Sequence, residues 1–118
     1  MPIVDITLIG ETRVAPTLCT ELARAIGQAL GAAGGTVWVT LTQRPAGDYA
    51  ENGPPPSPLP VFIHVLTHGD DPSSRAARAQ AIAGAAAATL DRPTDCMHVI
   101  FEPDAKGRVY LGGRASQR

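Results

Sequence analysis

The 118 residues suffice for one domain with a real core and are too few for two ordinary ones. Apolar residues make up 44% and charged residues 18%, a globular rather than a disordered balance. A net charge of −1 with no run of lysines or arginines gives no electrostatic support for a nucleic-acid or membrane-surface partner.

The N-terminus has no basic region and Asp5 interrupts its apolar run, so no signal peptide is expected. No apolar stretch is long enough to cross a bilayer. Cys19 and Cys96 are far apart and lack CxxC spacing. Both read as reduced, core-packing thiols of a cytoplasmic protein.

Pro2 opens "PIVDITLIG", a strand with alternating faces, and proline is tolerated at a strand's first position. A helix is predicted from about Pro16 to Leu30, with Leu18, Leu22, Ile26 and Ala29 on one stripe. The glycine-rich "GAAGG", Gly31 to Gly35, ends it as a cap. Because that segment follows a helix rather than preceding one, it does not read as a phosphate cradle. A second strand runs from Thr36 to Gln43, and the proline-rich "ENGPPPSPLP", Glu51 to Pro60, is an extended linker.

The pattern then repeats. "PVFIHVLTHG" starts at Pro60, Pro72 marks a helix start, and a helix is predicted from about Ser73 to Leu90. Ala79, Ile82, Ala83, Ala86 and Leu90 form its stripe, Arg75 and Arg78 lie near its start, and Pro93 stops it. The last strand runs from Cys96 to Glu102. Two β-α-β units, at about residues 2–53 and 60–113, predict a single α+β domain over residues 1–118. Right-handed crossovers would place both helices on one face of a four-stranded sheet. Val37, Val39, Leu41, Met97, Val99 and Phe101 should face the helices. Trp38, Thr40, Thr42, His98, Ile100 and Glu102 should form a mixed opposite face, either exposed or buried in an oligomer.

His64 and His68 share a strand face at i, i+4, which separates them too far for joint ligation, and no third ligand is evident. No metal is expected.

Each second strand ends in a similar tail, "TQRPAGDYAENG" and "FEPDAKGRVYLGG". These tails, the start "MPIVDITLI" and the tandem repeat together resemble the tautomerase superfamily, the 4-oxalocrotonate tautomerase-like proteins in their fused two-unit form. The resemblance implies a homotrimer with its sheets wrapped around a central core. It also implies cofactor-independent chemistry on a small 2-oxo or enol carboxylate. The N-terminal proline, freed when methionine is removed, would be the catalytic base. On this resemblance Pro2 is the catalytic residue, and Arg13, Tyr49, His98 and Arg108 are the substrate-binding candidates. The family's second arginine, early in the second strand, is replaced here by Trp38 in one unit and His98 in the other.

The chemistry suits a proline amine, a rigid secondary amine with one lone pair. Apolar walls and nearby cations both disfavour its charged form. Pro60 is the internal counterpart, but its nitrogen is an amide and cannot act as a base, so one working site per subunit is expected. Taken by themselves, Met1-Pro2 is also a common start, Arg13 and Arg108 also fit solvated turns, His98 also fits a packed strand, and Tyr49 also fits an interface. Two further readings stand beside the tautomerase or isomerase. One is a hydratase or dehalogenase of an unsaturated acid, with Pro2 as acid and Glu51 or Glu102 activating water. The other is a non-catalytic small-molecule-binding module.

Overall fold

The computed structural model describes residues 2–10 and 14–116. Strand β1 (Ile3–Ile9) leads to helix α1 (Leu18–Ala29) and strand β2 (Trp38–Arg44). Strand β3 (Val61–Leu66) leads to helix α2 (Arg75–Leu90) and strand β4 (Met97–Phe101). A short hairpin, β5 (Tyr110–Leu111) and β6 (Arg114–Ala115), follows. The large sheet has the order β2-β1-β3-β4, with β1∥β2 and β3∥β4 within the units and antiparallel β1 and β3 joining them.

Alternation decides the faces. Val4, Ile6, Leu8, Val61, Ile63 and Val65 point into the core, where they meet Leu18, Leu22 and Ile26 of α1 and Ile82, Ala83, Ala86, Ala87 and Leu90 of α2. The two units thus share one core. The predicted stripe of α1 holds except at its end, where Ala29 is exposed and Leu30 packs instead. The last turn tightens there, Leu30 N–H donating to the Ile26 carbonyl at 3.0 Å and Gly31 N–H to the Gln28 carbonyl at 3.1 Å. Gly31 then takes the left-handed φ of 63° that ends the helix. Before α2 the chain makes a 3-10 turn over Pro72–Ser74, capped by the Asp71 carboxylate, which accepts from Ser73 N–H at 3.1 Å and Ser73 Oγ at 2.8 Å. α2 itself therefore starts at Arg75, two residues later than predicted. No helix among the described residues is long and apolar enough to cross a membrane.

The opposite sheet face lies open within one chain. Its rows read Trp38–Ile3–Leu66, then Thr40–Asp5–His64–Ile100, then Thr42–Thr7–Phe62–His98. Thr40 Oγ1 donates to Asp5 Oδ1, and His64 Nδ1 lies 2.7 Å from Glu102 Oε1. Trp38 and Ile100 remain 42% and 40% exposed.

Candidate active site

Antiparallel pairing of β1 and β3 brings the first residue of one unit beside the end of the other unit's first strand. Pro2 precedes β1 and is held by its carbonyl, which accepts from Trp38 N–H at 3.0 Å. Val65 and Thr67 lie at the far end of β3, and Phe101 ends its parallel neighbour β4. The chain leaving α1 supplies Leu30 and Ala32, and the first turns of α2 supply Arg78 and Ile82. These residues line a half-open cavity of about 210 Å³. Most of its wall is apolar. The side chains of Arg78 and Thr67 provide the polar exceptions.

Arg78 is held on several sides. Nη2 donates to Asp70 Oδ1 at 2.6 Å and to the Asp71 carbonyl at 3.0 Å, and Nε donates to Ser74 Oγ at 2.9 Å. Its guanidinium carbon stands 4.8 Å from the centre of the Phe101 ring, within cation–π range. Arg75 holds the other oxygen of Asp70, with Nη2 at 2.5 Å and Nε at 2.8 Å. The Asp70 side chain is only 5% exposed. The hydrogen bond from Arg75, and then that from Arg78, hold its carboxyl below the usual range.

The turn behind this cluster is fixed from the second unit's tail. Asp104 accepts from the backbone N–H groups of Lys106 at 2.9 Å, Asp70 at 3.1 Å and Gly69 at 3.3 Å. These bonds, that of Lys106 foremost, lower its pKa. Fully buried Ala105 donates its N–H to the Thr67 carbonyl at 3.0 Å.

The sequence candidates are distributed differently. Pro2 lines the cavity. Arg13 lies outside the described residues. Tyr49 and His98 flank Phe62 on the open sheet face, with ring centroids 5.7 and 5.5 Å from it. Phe62 pairs with Thr7, four residues along β1 from Ile3, so this ladder stands roughly 13 Å from the Pro2 end and on the other face. Tyr49 Oη donates to Glu51 Oε2 at 2.6 Å, and this bond to a carboxylate raises the phenol's pKa. His98 and Glu51 border a separate space of about 410 Å³ with Pro60. Arg108 is exposed in the turn after β4 and does not border the Pro2 cavity. Of the four candidates among the described residues, Pro2 alone lines the cavity within one chain.

Arg78 was visible in the sequence only as a charge near a helix start, yet a signal was available. Cations are disfavoured at a helix N-terminus, so two arginines in the opening turns of α2 call for an anion in front of them. Asp70 is that anion.

The sequence matches no protein-family model and none of the curated proteins. Solved structures do match. A wild-type fused 4-OT, a symmetric trimer, superposes with a TM-score of 0.75 at 22% identity, over 97% of this chain and 94% of its own. Pt0534 inactivated by 2-oxo-3-pentynoate superposes with a TM-score of 0.71 at 22% identity, over 97% and 94%. Malonate semialdehyde decarboxylase does so with a TM-score of 0.67 at 15% identity, over 95% and 92%.

The chain has the tautomerase fold.

At such identities the likeness carries the fold alone. The tautomerase fold is built from two similar units, so a second place corresponding to the Pro2 cavity lies at the start of β3. Here that place is filled on the helix-covered face. A Cβ on Gly10, which sits at φ +91°, would come within 2.7 Å of Leu59 Cδ1. Arg92 Nη1 donates to the carbonyls of Ile9 at 2.8 Å and Leu59 at 3.4 Å, closing the same end.

Proposed function

We propose that this chain is a cofactor-independent tautomerase or isomerase that moves a proton on a small 2-oxo or enol carboxylate, with Pro2 as general base once Met1 is removed. The observation that carries this reading is the juxtaposition of Pro2 with Arg78 in a small, mainly apolar cavity. Arg78 supplies a cation for a substrate carboxylate, and the apolar wall and the nearby cation both favour the neutral amine. The Pro2 nitrogen takes the proton of the enol O–H. The C=C electrons then collect a proton at carbon from the prolinium as the C–O bond becomes C=O, and the amine is regenerated.

Arg13 is proposed as a further substrate-binding residue. Tyr49, His98 and Arg108 would contribute across a subunit boundary of a homotrimer, because within one chain they stand away from the cavity. The trimeric form of the fused 4-OT supports that arrangement. The hydratase or dehalogenase reading receives less support. Glu102 is engaged by His64 and Glu51 by Tyr49, both away from the cavity, and Asp70 is held by two arginines.

Intact mass spectrometry decides first whether the proline nitrogen is an amine. A mass that retains Met1 removes the base. With Met1 absent, ketonisation of the enol of an aryl or alkyl 2-oxo acid, such as phenylpyruvate, should be accelerated by the wild type. Pro2→Ala should lose about 10²–10⁴-fold, the usual contribution of a general base. An unchanged rate in that variant would refute the mechanism. Arg78→Gln should chiefly raise KM.

A further inference from the structure

Charge is crowded at the turn between β3 and α2. Arg75 and Arg78 face Asp70, and the carboxylates of Asp71 and Asp104 lie in the same cluster. All three aspartates are held below the ordinary carboxylate range, so all three are ionised at neutral pH. Of these two arginines only Arg78 borders the Pro2 cavity, and one of its terminal nitrogens is already given to Asp70 and the Asp71 carbonyl. Beyond Arg78 and Thr67, the described side chains around the cavity are apolar. Its volume of about 210 Å³ is below the roughly 300–1,000 Å³ of drug-sized sites.

We infer that the Pro2 cavity is specific for substrates bearing a single carboxylate, and that Asp70 is the residue that sets this specificity by offsetting the arginine charge at its rim. One carboxylate has a partner in Arg78. With Arg13, His98 and Arg108 given to the 2-oxo or enol oxygen, a second on the same small molecule would meet, among the described residues of one chain, either apolar wall or the negative side of the cluster, where burial without a partner and like-charge repulsion both oppose it. Asp70 acts through Arg78 rather than on substrate. Its near-complete burial and its bonds to both arginines make its charge a fixed part of the site. This inference rests on the tautomerase reading for its assay but not for its binding test.

The experiment compares, at pH 7.5 and constant ionic strength, the enols of a straight-chain 2-oxo monocarboxylate and of the 2-oxo dicarboxylate of equal chain length. For the wild type, kcat/KM should favour the monoacid by about tenfold, between the bulk-water and protein-surface limits of one close charge interaction. In Asp70→Asn that ratio should fall by about tenfold, mainly through KM for the diacid, and Asp70→Glu should restore it. A structural role alone would lower both substrates together and leave the ratio unmoved, which would overturn the assignment to Asp70. A wild type that turns over the diacid as well as the monoacid overturns the specificity while leaving the tautomerase reading intact. Calorimetric titration of the wild type with butanoate and with butanedioate covers the case of a variant that does not fold and of a protein that turns over neither enol. Tighter binding of butanoate supports the inference even where the tautomerase reading has failed. Equal or tighter binding of butanedioate, or binding of neither acid, overturns it.

Discussion

Pro2 and Pro60 hold corresponding places, each just ahead of the central strand of its unit, and chemistry separates them. Pro60 follows Leu59 through an amide, and Leu59 together with Arg92 fills its end of the helix-covered face. Pro2 stands at the open end, with Arg78 and Phe101 across the cavity. Asp104 illustrates how one side chain supports that end, since its carboxylate holds three backbone N–H groups and pins the turn carrying Asp70. Its depressed pKa means that the folded state binds its proton less readily than the unfolded chain. The stabilisation is therefore present above the ordinary value of 3.8 and is lost as pH falls through the lower, folded value. Urea denaturation should show Asp104→Asn less stable than wild type at pH 7, with the gap closing as the pH drops below 3.8. A gap that is constant with pH would mean that the carboxylate charge is not what holds the turn.

The elements follow from periodicity and punctuation, with corrections where neighbours intervene. Leu18, Leu22 and Ile26 fall on the buried side of α1 at helical spacing, and alternation assigns the core faces of all four long strands. Pro16 precedes α1 without joining it, and Pro72 opens a 3-10 turn instead of α2 itself, because the Asp71 cap bonds Ser73 in a tighter geometry. The hairpin of β5 and β6 was legible only as a glycine-containing tail, since two-residue strands are too short to carry a period. Gly10, at the turn leaving β1, is the place where an element depends on a missing Cβ. Its φ of +91° and the 2.7 Å approach to Leu59 predict that Gly10→Ala costs about 1–3 kcal/mol of unfolding free energy, read by chemical denaturation. A neutral Gly10→Ala would show that Leu59 yields readily and that the Pro60 end is not tightly filled.

At the scale of the molecule, the sheet has one covered face and one open face. Trp38, Ile3, Leu66, Phe62 and Ile100 make much of the open face apolar, interleaved with Asp5, His64 and Glu102. A face of this kind, with Trp38 42% exposed, is characteristic of a protein–protein contact. In a homotrimer built through this face, Trp38→Glu should release monomers in analytical ultracentrifugation while the circular dichroism of the folded chain persists. A Trp38→Glu protein that remains trimeric would place the contact elsewhere. The same release should lower turnover if Tyr49 and His98 complete the cavity of a neighbouring chain.

The sequence by itself determined the two-unit architecture, since strand alternation, helical stripes and proline or glycine punctuation are local signals that survive without tertiary context. It also singled out Pro2, because only a residue behind a removable methionine can become a free secondary amine. Only the tertiary structure decided what faces Pro2. Arg78, Thr67 and Phe101 reach it through the antiparallel pairing of β1 with β3, a contact between residues 53 to 63 positions apart in the chain that leaves no period in the sequence. The same pairing put Tyr49 and His98 at the other end and on the other face, because reversing one unit against the other sends equivalent strand ends in opposite directions.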